Sequence, residues 1–183
     1  MILVRNYVNG IFVDSKEKIE DINPATSEVI ATIPRSNLND VNEAVLAADK
    51  ARDNWSSLSL DERRKWLEKI ANALEARSEE IAKLESLDTG KPIKIARAVD
   101  ASRSVANFRF FAEFSKDFHE QKFLMEDATN HVIFKPVGIA GLITPWNLPL
   151  YLLSWKIAPA IVMGNTVVAK PSELTPLTAN LLA

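Results

Sequence analysis

The sequence contains no cysteine, so it can form neither a disulfide framework nor a thiolate metal site. It has five glycines, and none falls in the G-x-G-x-x-G or G-x-x-x-x-G-K-[ST] spacing that cradles a nucleotide's phosphates. No apolar run approaches the roughly 20 residues needed to span a bilayer, and the opening MILVRNYVNGIFVDS lacks the apolar core of a signal peptide. We therefore expect a cytoplasmic protein without a membrane partner. There is no basic block, and the net charge is −2, which argues against a nucleic-acid partner. The two histidines, His119 and His131, have no third ligand in view and read as surface or turn residues. What remains is a chain of 183 residues, 47% apolar and 25% charged. That is enough to build a core, and it suits one domain or a piece of a larger one.

The N-terminal part reads as short strands. Asn9-Gly10 within YVNGIFV is a hairpin signal, because a type I′ turn needs positive φ at both central residues. Asp21 to Glu28 is turn chemistry and Val29 to Pro34 a third strand, so the region is expected to be a surface β-meander. From Asn39, the expected N-cap, the period becomes helical, with Val41, Val45, Ala48 and Trp55 on one face. Ser59 and Glu62 form a capping box for a second helix with the stripe Leu67, Ile70, Leu74. Ser78 opens a third helix, which a glycine stop closes at Gly90. Pro92 begins a fourth that runs to about Asp117 and carries Phe108, Phe110, Phe111 and Phe114, expected as core. Gln121–Leu124 and His131–Lys135 then read as a hairpin leaving the helical body.

The stretch from Gly138 to Pro171 organises the rest. Val137 to Thr144 reads as a strand buried on both faces, Pro149 to Val162 as a crossover helix that Pro159 kinks or ends early, and Thr166 to Ala169 as a second buried strand. This is an α/β unit with parallel strands, and both strand ends lie on the edge where such sheets bind ligands. Asn147 follows the first strand. Its amide can donate to a developing oxyanion, or it can cap the helix that starts at Pro149. Lys170 ends the second strand, where it can bind ribose or phosphate or simply be solvated. Glu173 can accept from ribose hydroxyls, and Ser172 can assist or cap the next helix. Arg109, inside an aromatic run, is either a paired internal arginine or a ligand for a carboxylate.

Several of these stretches resemble the aldehyde dehydrogenase superfamily: TPWNLPLYLLSWKIAPAIVMGNTVVAKPSELTP, NPATSEVIATIP, the LDTGKP of Leu87–Pro92, and KPVGIAGLI. The wording NFRFFA and PWNLPLYLLSWKIAPA is most similar to the branch acting on aminomuconate or hydroxymuconate semialdehydes. The resemblance implies NAD(P)-dependent oxidation of an aldehyde to an acid through a cysteine thiohemiacetal. It also implies the N-terminal part of a Rossmann-like dinucleotide-binding domain: residues 1–118 as β-meander plus helices, 119–136 as an oligomerisation hairpin of a homo-oligomer, and 137–183 as the start of the βαβ core.

On this resemblance Asn147 is the oxyanion donor, and Ile143, Thr144, Pro145 and Trp146 line the cofactor groove. Lys170 and Glu173 hold the adenosine ribose, with Ser172 beside them among the cofactor-binding residues, the acid at Glu173 favouring NAD over NADP. Arg109 takes a substrate carboxylate, and Asp88 with the backbone near Ile22 resembles a monovalent-cation site. The family's nucleophilic cysteine is absent and the sequence stops within a helix-like pattern. We therefore expect an incomplete enzyme, inactive alone. The other reading is a non-catalytic NAD-binding or assembly module ending at Ala183.

Overall fold

The computed structural model describes residues Met1 to Ala183. Five short strands come first: β1 (Ile2–Leu3), β2 (Asn6–Val8), β3 (Ile11–Val13), β4 (Lys18–Ile22) and β5 (Val29–Pro34). β2 and β3 form the expected hairpin, with φ of 52° at Asn9 and 80° at Gly10. The region is nevertheless not a meander. β1 runs parallel to β5, and β5 pairs antiparallel with β4, in a sheet of order β1-β5-β4. Asp21 and Ile22 therefore belong to a strand, and the turn begins at Asn23, whose side chain accepts from Ala25 N. Strand β4 is hidden in the sequence because Asp21, buried on the inward face that Ile19 shares, stands where alternation would place an apolar residue.

The helices follow their caps. Helix α1 (Leu38–Ser57) is capped by Asn37, not Asn39: the Asn37 side chain accepts from Asn39 N and Asp40 N, and Asp40 returns a bond to Asn37 N. Helix α2 (Leu60–Ala76) carries the Ser59–Glu62 box. Helix α3 (Ser78–Thr89) ends at Gly90, φ 71°, where a Cβ would come within 2.9 Å of Pro24. The fourth helical run comprises α4 (Ile93–Ile95), a π-helical segment (Ala96–Ala101), α5 (Ser102–Phe114) and a 3₁₀ turn (Ser115–Asp117).

Leu67, Ala71, Leu74, Ile81, Val105, Phe108 and Leu150 build the main core, and Phe111 packs against it. The aromatic run divides by helical geometry. Phe108 is fully buried, whereas Phe110 and Phe114, one turn apart on the opposite face, are 58% and 48% exposed and stack on each other. Val41 and Val45 of α1 are likewise open to solvent, and only Ala48 of that face is buried.

β6 (Gln121–Leu124) and β7 (Thr129–Val132) pair only with each other, with every residue exposed. The second strand begins two residues earlier than its apolar pattern predicts. Next come β8 (Ile139–Ile143), α6 (Pro149–Val162) and β9 (Thr166–Lys170), with β8 and β9 parallel. The two strands are not buried on both faces. They form a two-stranded sheet packed against α1 and α6, and Ile143 is 71% exposed. Pro159 does not end α6, which continues to Val162, with Ala158 and Val162 on either side of it packed into the core. Helix α7 (Leu177–Leu182) closes the description.

Candidate functional site

The register of β8 and β9 pairs Ile143 with Lys170, and Thr144 N donates to Lys170 O at 3.2 Å. The two strand ends thus leave the sheet side by side, on one edge. Asn147 sits just beyond the first. Leu148, not Asn147, occupies the N-cap of α6, and no side chain caps that helix from the cap position. The Asn147 amide forms no hydrogen bond within the chain, and the residue is exposed, so the capping alternative does not hold. The donor a cap would have served, Leu150 N, bonds instead to the buried carboxylate of Glu85 at 3.0 Å.

Around this amide, Ile143, Pro145 and Trp146 form an exposed apolar ledge, with Trp146 59% exposed. Thr144 is brought to the edge through its backbone alone. Its side chain is buried and its hydroxyl has no partner, so it does not face an open groove. At the second strand end Lys170 and Glu173 are both exposed, their Nζ and Oε2 2.7 Å apart, and the hydrogen bond from Lys170 holds the Glu173 carboxyl below the usual carboxylate range. Ser172 is buried and its hydroxyl accepts from Leu174 N at 3.2 Å. It shapes the turn rather than joining the exposed pair.

Arg109 does not join the site. Its guanidinium is exposed and makes a two-pronged pair with Glu75, at 2.9 and 2.6 Å, with Asn72 Oδ1 at 3.2 Å. It belongs to a groove between α2 and α5 lined also by Ser78, Ser102 and Phe110. Within α5, Asn107 points to α6, donating to Tyr151 O and Ser154 Oγ. About two turns earlier, Asp100 meets the start of α6 through Lys91. Arg103 stands one turn before Asn107 in the same helix. It is exposed and in no ion pair. Arg109, the arginine inside the aromatic run, is thus paired with a carboxylate, whereas Arg103 is free.

Behind the edge lies a set of buried acids on and beside α3. Glu85 Oε1 accepts from Leu150 N and from Thr178 Oγ1 at 2.8 Å, and Asp88 Oδ2 accepts from Leu177 N at 2.9 Å. Carboxylates of one helix thereby serve the free N–H groups that open α6 and α7, the two helices that follow the strand ends. Asp88 lies against Asp21. Burial, followed by the charge of Asp21, pushes its pKa up to about 8, and burial raises Asp21 as well. Burial likewise raises Glu85 against the bonds it accepts. Asp88 Oδ1 and both oxygens of Asp21 have no hydrogen-bond donor. Ile22 is 51% exposed, and with a hydrocarbon side chain it can offer a cation only its backbone carbonyl.

The model of the aldehyde dehydrogenase family matches residues 12–183. The chain belongs to this family. Among curated relatives it is 50% identical over 181 residues to 2-aminomuconic semialdehyde dehydrogenase of Danio rerio, covering 97% of this chain and 37% of that protein. To 2-hydroxymuconic semialdehyde dehydrogenase of Pseudomonas sp. strain CF600 it is 42% identical over 187 residues, covering 98% and 38%. The NAD+ complex of an aldehyde dehydrogenase from Bacillus cereus superposes with a TM-score of 0.94 at 36% identity, again over 98% of this chain and 38% of the other. The chain thus spans under two-fifths of the length of these relatives. No helix is long and apolar enough to cross a membrane.

Four residues of the site carry little sequence signal. Lys156 donates to Ile143 O at 2.5 Å, and Thr175 Oγ1 to Trp146 O at 3.4 Å. Lys91 and Glu85 reach the region from elements far away in sequence. A lysine in an α6-like pattern and a glutamate in an amphipathic helix read as solvated faces, so nothing short of the packed structure singles them out.

Proposed function

We propose that this chain supplies the oxyanion donor and the ribose clamp of an NAD-dependent aldehyde dehydrogenase acting on a semialdehyde. The observation that carries the reading is the free amide of Asn147. It is a donor held at a strand-to-helix junction, relieved of capping duty by Glu85, beside an exposed apolar ledge. In the reaction its N–H₂ donates to the aldehyde oxygen as negative charge builds there, a contribution of roughly 3–4 kcal/mol to the transition state. The ledge of Ile143, Pro145 and Trp146 sheds water against the flat face of the cofactor. Lys170 and Glu173 take the adenosine ribose hydroxyls, one as donor and one as acceptor, and the carboxylate disfavours a 2′-phosphate. NAD, when bound, supplies the acceptor for the electron pair that leaves the aldehyde carbon. The family chemistry also needs a thiol, and these 183 residues contain none, so alone they are expected not to oxidise an aldehyde.

A carboxylated substrate is supported by Arg103, exposed and unpaired on α5, better than by Arg109, which Glu75 already neutralises. The orphaned oxygens of Asp21 and Asp88 fit a monovalent cation, held by those carboxylates and the Ile22 backbone. The exposed hairpin β6–β7 is the surface we assign to pairing with a second copy, because it offers unpaired strand edges.

Calorimetric titration with NAD tests the cofactor reading. The chain is expected to bind, and Lys170→Ala to bind about tenfold more weakly, the loss of one charge-assisted bond. A chain that shows no binding heat, or a Lys170→Ala variant with unchanged affinity, overturns it in favour of a non-catalytic assembly module.

A further inference from the structure

We propose that Lys91 is a positioning residue for Asn147, an inference that rests on the oxyanion role given to that amide. Lys91 follows Gly90, the glycine that ends α3, and its side chain runs inward. Its ammonium lies 2.8 Å from Asp100 Oδ1, 3.9 Å from Glu85 Oε2 and 3.4 Å from the carbonyl oxygen of Asn147. The two carboxylates are wholly buried and the lysine side chain is 16% exposed.

A surface lysine gives up much rotamer freedom to make a single bond. Here the carboxylates of Asp100 and Glu85 have already fixed the ammonium, so it meets the Asn147 carbonyl as a preordered donor. That carbonyl has few other ties. The segment between Pro145 and Pro149 precedes the helix, and within it only Trp146 O, bonded to Thr175, and Asn147 O accept from side chains. Fixing the peptide that leaves Asn147 fixes the Cα–Cβ bond from which its side chain departs, and so narrows the space its amide can reach.

Glu85 carries the same anchoring onward, to Leu150 in α6 and Thr178 in α7, by bonds that do not pass through the lysine. Loss of Lys91 is therefore expected to loosen Asn147 selectively, leaving the start of α6 and the Lys170–Glu173 pair in place.

Nitrogen-15 NMR of the 183-residue chain tests this. In the unaltered chain the Lys91 ammonium is expected to exchange slowly with water and to show cross-relaxation to Asn147. An ammonium that exchanges as fast as that of the exposed Lys122 overturns the proposal without any substitution. In Lys91→Met the backbone amide of Leu148, which shares its peptide plane with the Asn147 carbonyl, is expected to fall from a rigid order parameter of about 0.85 to below about 0.6. The Leu150 amide should stay protected and NAD affinity should hold within about twofold. Lys91→Arg, which keeps donors toward both partners, should restore the order.

If Lys91→Met fails to fold because Asp100 is left buried without a partner, the double variant Lys91→Met/Asp100→Asn carries the same readout. A Leu148 backbone amide equally rigid in either folded variant overturns the inference. A chain that binds no NAD overturns the functional reading instead and leaves the ordering of Asn147 by Lys91 standing.

Discussion

Of the three two-stranded sheets in the chain, two have opposite fates. β8 and β9 are five residues each, and β6 and β7 four. A two-stranded sheet is marginal by itself in water, so pairing alone distinguishes neither. β8 and β9 are joined by α6, whose apolar face enters the main core through Leu150, Ala158 and Val162. Buried acids of α3 bind the helix starts beyond both strand ends. β6 and β7 have their turn, their ladder and the contact of His131 with Glu120, with no residue buried. The difference teaches that here the precision of a strand end is conferred by what holds the next helix. The edge is held in place because carboxylates buried behind it bind the helix starts that follow, whereas the hairpin has no such support and is exposed throughout.

The largest effect should come from removing that support. Glu85→Ala leaves Leu150 N and the Thr178 hydroxyl without their buried acceptor and is expected to cost about 2–5 kcal/mol of stability in urea unfolding. A loss under about 1 kcal/mol would show that the acids are incidental and would dissolve the contrast between the two sheets.

Asp21 and Asp88 predict a pH effect of the next size. An acid whose pKa rises on folding keeps a proton that the unfolded chain has released. Between its ordinary value of 3.8 and about 8, stability therefore falls as pH rises, and it levels off above that. The melting temperature should decline from pH 5 to pH 8 in a buffer with only bulky organic cations. Potassium or sodium should recover it most at the alkaline end, and Asp88→Asn should flatten the profile. Stability that rises over that window would refute the burial of these acids.

Smallest of all should be changes in the hairpin. Phe123→Ser, at a residue 54% exposed, is expected to alter unfolding by no more than about 0.5 kcal/mol, while reducing any self-association seen in sedimentation. Hydrogen exchange should rank the two sheets in the same order, the β6–β7 amides exchanging fastest. Protection in the hairpin equal to that of Thr144 N would erase the distinction.

Much of this protein is legible in its sequence, where the signal is local. The Asn9-Gly10 hairpin, the Ser59–Glu62 box, the glycine stop at Gly90 and the strand-helix-strand run to Lys170 each depend on neighbours a few residues apart, and the structure has all of them. Family motifs around Asn147 and Lys170 are equally local. Local reading loses its hold where a residue's partner is distant. β4 escapes it because Asp21 is buried against Asp88, and Phe110 and Phe114 escape it because helical phase turns them outward.

The sequence by itself determined which chemical groups end the two strands: an amide, a lysine and a carboxylate with apolar residues around them. Only the tertiary structure decided what each is free to do. It took the cap of α6 away from Asn147 and gave it to Glu85, paired Arg109 away with Glu75, and drew Lys91 inward to Asp100 and the Asn147 carbonyl. The physical reason is that a polar side chain is available for function only when its hydrogen-bonding capacity is not already spent, and how it is spent depends on residues brought together across the whole chain.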